Sequence, residues 1–144
     1  MTPLAFEDIV ARLAAWRFPA GIDGVVGIAT GGTVPAALVA QRLGVGLKTI
    51  ALNYRDETNT PQFDEPRLLA AVPELGNWRR VLLVDDVYVS GKSWRAARAL
   101  LPATTEVLPF VLKGKTDFAL IRDVDGCVQW PWKAYGPASA RVEA

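Results

Sequence analysis

Residues 81 to 93, VLLVDDVYVSGKS, run an apolar stretch into two adjacent carboxylates, Asp85 and Asp86, and then into a Ser-Gly-Lys-Ser turn, Ser90 to Ser93. The residues that follow, SWRAARALL, have helical spacing, so the turn stands at a helix N-terminus. There the first backbone N–H groups lack intrahelical partners, and the macrodipole turns its positive end outward. Gly91 lets a ligand approach the backbone, and the hydroxyls of Ser90 and Ser93 add donors. Such a turn cradles phosphate. The two carboxylates would repel that anion, so they point to other parts of the same ligand: sugar hydroxyls, or a magnesium ion, which takes one or two carboxylates and several waters.

Other chemistries are narrowed by what the chain lacks. It has no histidine and a single cysteine, Cys127, which removes the usual zinc ligand sets, an internal disulfide framework and His-activated nucleophiles. The GKS triplet suggests a nucleoside-triphosphatase loop. That motif, however, needs a glycine five residues before Gly91, where this sequence has Asp86.

The elements that must hold these residues follow from periodicity. Leu4, Ile9, Leu13 and Trp16 predict an amphipathic helix over residues 5–17. GVVGIA, Gly24 to Ala29, predicts a strand, followed by a glycine turn, Thr30 to Thr33, and a helix from Pro35 that stops at Gly44. Leu47 to Asn53 predicts a second strand. Leu68, Leu69, Val72 and Leu75 give residues 64–75 helical spacing. Val81 to Val84 predicts a strand buried on both faces, Ser93 to Leu101 a helix, and Glu106 to Leu112 a fourth strand. Strands alternating with helices predict an α/β fold, a parallel central sheet with helices on both faces, whose ligands bind beyond the carboxyl ends of the strands. The last residues, Ala138 to Ala144, read as a frayed tail.

The 144 residues, 51% of them apolar, suit one domain with a sizeable core. Sixteen Lys and Arg against 15 Asp and Glu give a net charge of +1, and the basic residues Arg79, Arg80, Arg95 and Arg98, which suit either solvated helices or help in binding a phosphate, make no dense basic face, which argues against nucleic acid as a partner. Acids at Glu7 and Asp8 stand where a signal peptide needs basic residues, and no apolar run reaches the roughly 18 residues of a membrane span. A cytoplasmic protein with no membrane partner is expected.

VLLVDDVYVSGKS resembles the signature with which type I phosphoribosyltransferases bind 5-phosphoribosyl-1-diphosphate (PRPP): apolar strand, paired acids, small hydroxyl residue, glycine, and Ser or Thr two further on. The resemblance implies that Asp85 and Asp86 bind the ribose hydroxyls and help place Mg2+, and that Val89, Ser90, Gly91, Lys92 and Ser93 wrap the 5-phosphate. It also implies a diphosphate-binding loop at Thr30, Gly31, Gly32 and Thr33. The polar segment that begins with Asn53, Tyr54 and Arg55 resembles the mobile loop that closes over the reactive centre in this family.

From Asp117, DFALIRDVDGCVQWPW is similar to the C-terminal hood of bacterial xanthine-guanine and hypoxanthine phosphoribosyltransferases. That likeness implies one phosphoribosyltransferase domain over residues 1–144, with a small hood at about 114–135. By the same likeness Lys113 donates to a purine 6-oxygen, the backbone of Val128 reads the ring edge, and Cys127 stands where the family stacks an aromatic, leaving Trp130 or Trp132 as substitutes. Val89 occupies the position at which 6-oxopurine enzymes usually carry an Asp, and valine cannot titrate.

The implied activity is Mg2+-dependent transfer of ribose 5-phosphate from PRPP to a nucleobase, a 6-oxopurine in nucleotide salvage. The rival is a non-catalytic PRPP- or nucleotide-binding regulator of the same fold, with Val89 and Cys127 in its favour. The resemblance brings in a homodimer as the family's common assembly.

Overall fold

The computed structural model describes residues 1–53 and 65–133. Eleven elements follow in chain order: β1 (Thr2–Pro3), α1 (Phe6–Ala15), β2 (Gly24–Ala29), α2 (Thr33–Leu43), β3 (Gly46–Asn53), β4 (Arg67–Leu68), β5 (Arg80–Tyr88), α3 (Lys92–Leu100), β6 (Glu106–Gly114), β7 (Ala119–Ile121) and β8 (Val128–Gln129). Six strands form one sheet in the order β4-β3-β2-β5-β6-β7, parallel except for the antiparallel edge strand β4.

Side chains alternate across this sheet with the strand period of two. Val25, Leu82 and Val84 meet Ile9 and Leu13 of α1 and Ala36 and Val39 of α2 on one face. Val26, Ile28, Val81 and Leu83 meet Ala97 of α3 and Leu101 on the other. Both faces of β5 are therefore covered, which is why its sequence is a continuous apolar run rather than an alternating one.

The strand order carries the main functional consequence. From β2 the chain passes through α2 to β3 on one side; it later leaves β5 through α3 to β6 on the other side. Right-handed crossovers running in opposite directions put their helices on opposite faces, as α2 and α3 are placed here. Between β2 and β5 the outgoing loops diverge, opening a crevice at a topological switch point.

Residues 65–75 do not form the helix that their leucine spacing predicts. Arg67 and Leu68 instead pair with Asn53 and Leu52, and the Leu69 amide donates to the Ala51 carbonyl at 2.9 Å. Pro66 and Pro73 explain the difference, because a proline disfavours helical backbone in the residue before it and removes an amide donor. Of the apolar positions in this stretch, Leu75 alone is buried in the core, while Leu68 and Leu69 are exposed.

The C-terminal part is tied down by small contacts. β7 extends the sheet beside β6, and β8 pairs in parallel with β1, with Thr2 N–H donating to Cys127 O and Leu4 N–H to Gln129 O, both at 3.1 Å. Trp130 is buried and stacks on Trp132, ring centroids 5.3 Å apart. An ion pair between Arg12 and Asp123 links α1 to the same segment at 3.6 Å. No helix among the described residues is long and apolar enough to cross a membrane.

Candidate ligand site at the sheet switch point

The strand β5 runs four residues beyond its apolar stretch, carrying Asp85 and Asp86 to the carboxyl end of the sheet. Asp85 is buried, 7% exposed. Its Oδ1 accepts the Asp86 amide, and Asp86 Oδ1 in turn accepts the Val87 amide, each at 2.8 Å. Each carboxylate is thus oriented by the amide of the residue that follows it.

The turn after β2 comes directly against this pair. A Cβ built on Gly31 would lie 2.7 Å from Asp86 Oδ2, and one on Gly32 would lie 2.7 Å from the carbonyls of Ile28 and Val84. Only glycine permits so close an approach, since any side chain here would displace the carboxylate or the strand. The Gly32 amide donates to Ile28 O at 2.7 Å and the Thr33 amide to Thr30 O at 3.0 Å; the Ala29–Thr30 peptide is cis.

On the other side of the crevice the chain leaves β5 through Val89 and Ser90 and enters α3 at Gly91, which has φ +81°. This left-handed geometry suits glycine and turns the chain sharply enough to present the helix N-terminus. Residues 87–94 line a shallow concavity of about 210 Å3, part of it open solvent. The Lys92 ammonium reaches Glu65 at 3.8 Å, and Trp94 Nε1 donates to Leu83 O at 3.0 Å, anchoring α3 to β5. Val89 projects into solvent, 67% exposed.

The structure therefore brings Thr30–Thr33, Asp85, Asp86 and Val89–Ser93 to the two banks of one crevice. Lys113 lies beside Val87 in the register of β5 and β6, at the same end of the sheet. Its charge also acts on Asp125: that carboxyl is held below its usual range first by a hydrogen bond from Lys115 at 2.7 Å, then by the Lys115 and Lys113 charges, against the opposing effect of desolvation. Cys127 is exposed, and Val128 inserts its side chain into the core beside β1. Trp130 is likewise a core residue, so its ring is not offered to a base.

Asn53 ends β3 opposite Arg67, so it belongs to the sheet and not to a loop; Tyr54 and Arg55, and the Ala138 to Ala144 tail, lie outside the described residues. Among the described residues no cluster of three or more acid, cysteine or histidine side chains could hold a metal by itself. The acid pair suits a cation that keeps its own waters and takes the rest of its ligands from substrate phosphates, as magnesium does.

Sequence reasoning missed Tyr88 and did not single out Arg95 among the basic residues. Tyr88 lies edge-to-face on Phe118, ring centroids 5.1 Å apart, and Arg95 folds back so that its Nη1 approaches Gly91. For Arg95 a signal existed, since it stands four residues after Gly91 on a helix, whereas nothing in the residue pattern marks Tyr88.

A glycine turn and an acid pair on facing banks of a switch point, in a parallel sheet covered on both faces, define the type I phosphoribosyltransferase fold class. Residues 3–106 match the phosphoribosyl transferase domain family, and the chain belongs to that family. It is 31% identical to the xanthine-guanine phosphoribosyltransferase of Gluconobacter oxydans, over 76% of this chain and 67% of that protein. It is 34% identical to the bifunctional protein PyrR of Ralstonia nicotianae, over 84% of this chain and 75% of that protein. The crystal structure of a purine phosphoribosyltransferase from Pyrococcus horikoshii Ot3 superposes with a TM-score of 0.71 at 21% identity, covering 94% of this chain and 96% of that one. The protein is thus a phosphoribosyltransferase by family and fold.

Proposed function

We propose that the protein transfers ribose 5-phosphate from PRPP to a nucleobase, a 6-oxopurine, with Mg2+, in nucleotide salvage in the cytoplasm, as one domain whose segment 114–135 is the hood. The observation that carries this reading is the contact between Gly31 and Asp86, which joins the two loops into one site. A relative named as a xanthine-guanine phosphoribosyltransferase supports the oxopurine.

In this reading Asp85 and Asp86 hold the ribose hydroxyls and the metal, Thr30 to Thr33 receive the diphosphate, and Val89 to Ser93 receive the 5-phosphate. The bond from ribose C1 to the diphosphate oxygen breaks and the diphosphate takes the electron pair; the base nitrogen then bonds to C1 and its proton passes to solvent. Bound Mg2+ supplies charge neutralisation on the leaving diphosphate. The chain contributes by fixing both ends of PRPP, so that the charge developing at C1 lies beside the carboxylates. Lys113 donates to the base oxygen, the Val128 backbone reads the ring edge, and Cys127 takes the position of the family's stacking aromatic. The segment that begins with Tyr54 and Arg55, directly after β3, is the cover of the centre in this reading.

A second reading, a PRPP- or nucleotide-binding regulator without turnover, is favoured by Val89, an exposed apolar side chain where an acid would take the base proton. One relative is named as a bifunctional protein. The test is to offer hypoxanthine, guanine, xanthine, adenine, uracil and orotate separately with PRPP and Mg2+, following nucleotide and diphosphate. Nucleotide from an oxopurine supports salvage; bound PRPP with no product from any base supports the regulator.

A further inference from the structure

Two side chains that the reading above leaves unused converge on Gly91. A methyl group built on its α-carbon would come within 2.5 Å of both Tyr88 Oη and Arg95 Nη1. The two polar atoms therefore flank a single point beside the Val89–Ser93 turn. Tyr88 is held there by the edge-to-face contact with Phe118 and by Gly114, whose α-carbon leaves room for the Tyr88 Cβ. Arg95 is held by its place one turn into α3, where its amide donates to Gly91 O at 2.9 Å.

The position of the guanidinium is unexpected on electrostatic grounds. The first turn of a helix is the positive end of its macrodipole, and a cation folded back over it is disfavoured unless an anion sits there. Arg12 and Arg80 each have a carboxylate partner, Asp123 and Glu106 respectively. Among the described residues Arg95 has none, and the Tyr88 hydroxyl has no hydrogen-bond partner. An arginine fork and a phenolic hydroxyl are donors of the geometry that a phosphate oxygen cluster accepts. Tyr88 and Gly91 both line the shallow concavity of residues 87–94, and Arg95 reaches Gly91 from one turn further along α3.

We propose that Tyr88 and Arg95 form a clasp for the 5-phosphomonoester, completing from the side-chain direction the cradle that the turn amides form from below. The clasp rests on the reading of Val89–Ser93 as the 5-phosphate seat and adds two side-chain donors to it. It selects for a sugar carrying a terminal phosphate and contributes nothing to binding of the free diphosphate.

Calorimetric titration of ribose 5-phosphate, with ribose and free diphosphate in parallel, tests it on the full chain and on the variants Arg95→Met, Arg95→Lys and Tyr88→Phe. Circular dichroism and melting curves establish that each is folded. Arg95→Met is expected to weaken ribose 5-phosphate about tenfold or more, and Tyr88→Phe severalfold, with Arg95→Lys intermediate because charge without the planar fork remains. Diphosphate affinity is expected to be the same in all four proteins. Equal ribose 5-phosphate affinity across the four overturns the clasp and leaves the phosphate seat standing. A parallel loss of diphosphate affinity also overturns it, since Arg95 would then act as a diffuse charge. Failure of the unsubstituted protein to bind either ribose 5-phosphate or PRPP overturns the seat and the clasp together.

Discussion

The two ends of the crevice are built to different standards. At the phosphate end, β2 and β5 lie in the middle of the sheet, and their residues Val25, Val26 and Val81 to Val84 are almost wholly inaccessible. The loops leaving them are set by backbone contacts that leave no space for a side chain at Gly31 or Gly32. At the other end, residues 114–133 contribute a buried three-residue strand, a two-residue strand anchored by Val128, an exposed ion pair and the stack of Trp132 on the buried Trp130. The comparison teaches that the crevice is framed by two long central strands on one side, and on the other by short segments that owe their place to a few buried side chains.

Four experiments would break or sharpen that contrast. The largest effect is expected from Asp85→Asn combined with Asp86→Asn, which should lower kcat/KM for PRPP by about a thousandfold with the melting temperature nearly kept, because charge is removed but shape is not. A steady-state assay with purified protein checks this, and retention of activity would remove the acid pair from the mechanism. Next is Trp130→Ala, expected to cost about 3–5 kcal/mol in a denaturant titration by opening a cavity beside Val128 and α1. If the loss is below about 1 kcal/mol, residues 114–133 tolerate losing their largest buried side chain.

A smaller effect is expected from Lys113→Met, which should raise KM for the base about tenfold while leaving PRPP binding unchanged. Equal losses for both substrates would show that the two ends are not separable. The smallest concerns acid. The Asp125 carboxyl is held below its ordinary value of 3.8, chiefly by the Lys115 hydrogen bond. A depressed folded-state value means that the pair's stabilisation is complete above that ordinary value and is lost as pH falls below it. Asp125→Asn should therefore melt slightly lower than the unsubstituted protein at pH 7, and the gap should close in acid. The pair is exposed, so the shift is small.

The same contrast governs what could be read without coordinates. The strands β2, β3, β5 and β6 and the helices α1, α2 and α3 were legible because each is long enough to show its period, and the bounds differ by one or two residues at most ends. The acid pair and both glycine turns were legible because their chemistry needs those residue types in that order. The stretch 65–75 was misread because leucine spacing was counted and the two prolines that interrupt it were not. β1, β4 and β8 have two residues each, and two residues carry no period. Nor could any local pattern reveal the Tyr88 and Arg95 convergence, which exists only once β5 has turned into α3.

The pairing of β1 with β8 has a further consequence, for the order in which the molecule comes together. Every contact in the central sheet joins strands that are neighbours or near neighbours along the chain, but Thr2 must find Val128. Closing so long a loop costs more entropy than any other pairing here, and only two residues on each side repay it. On a ribosome, β2, β3, β5 and β6 can associate as they emerge, while the first strand waits for nearly the whole described chain. Amide exchange at Thr2 and Leu4 should accordingly be fast against that of β5, and the β1–β8 pairing should be both the last to form and the first to open.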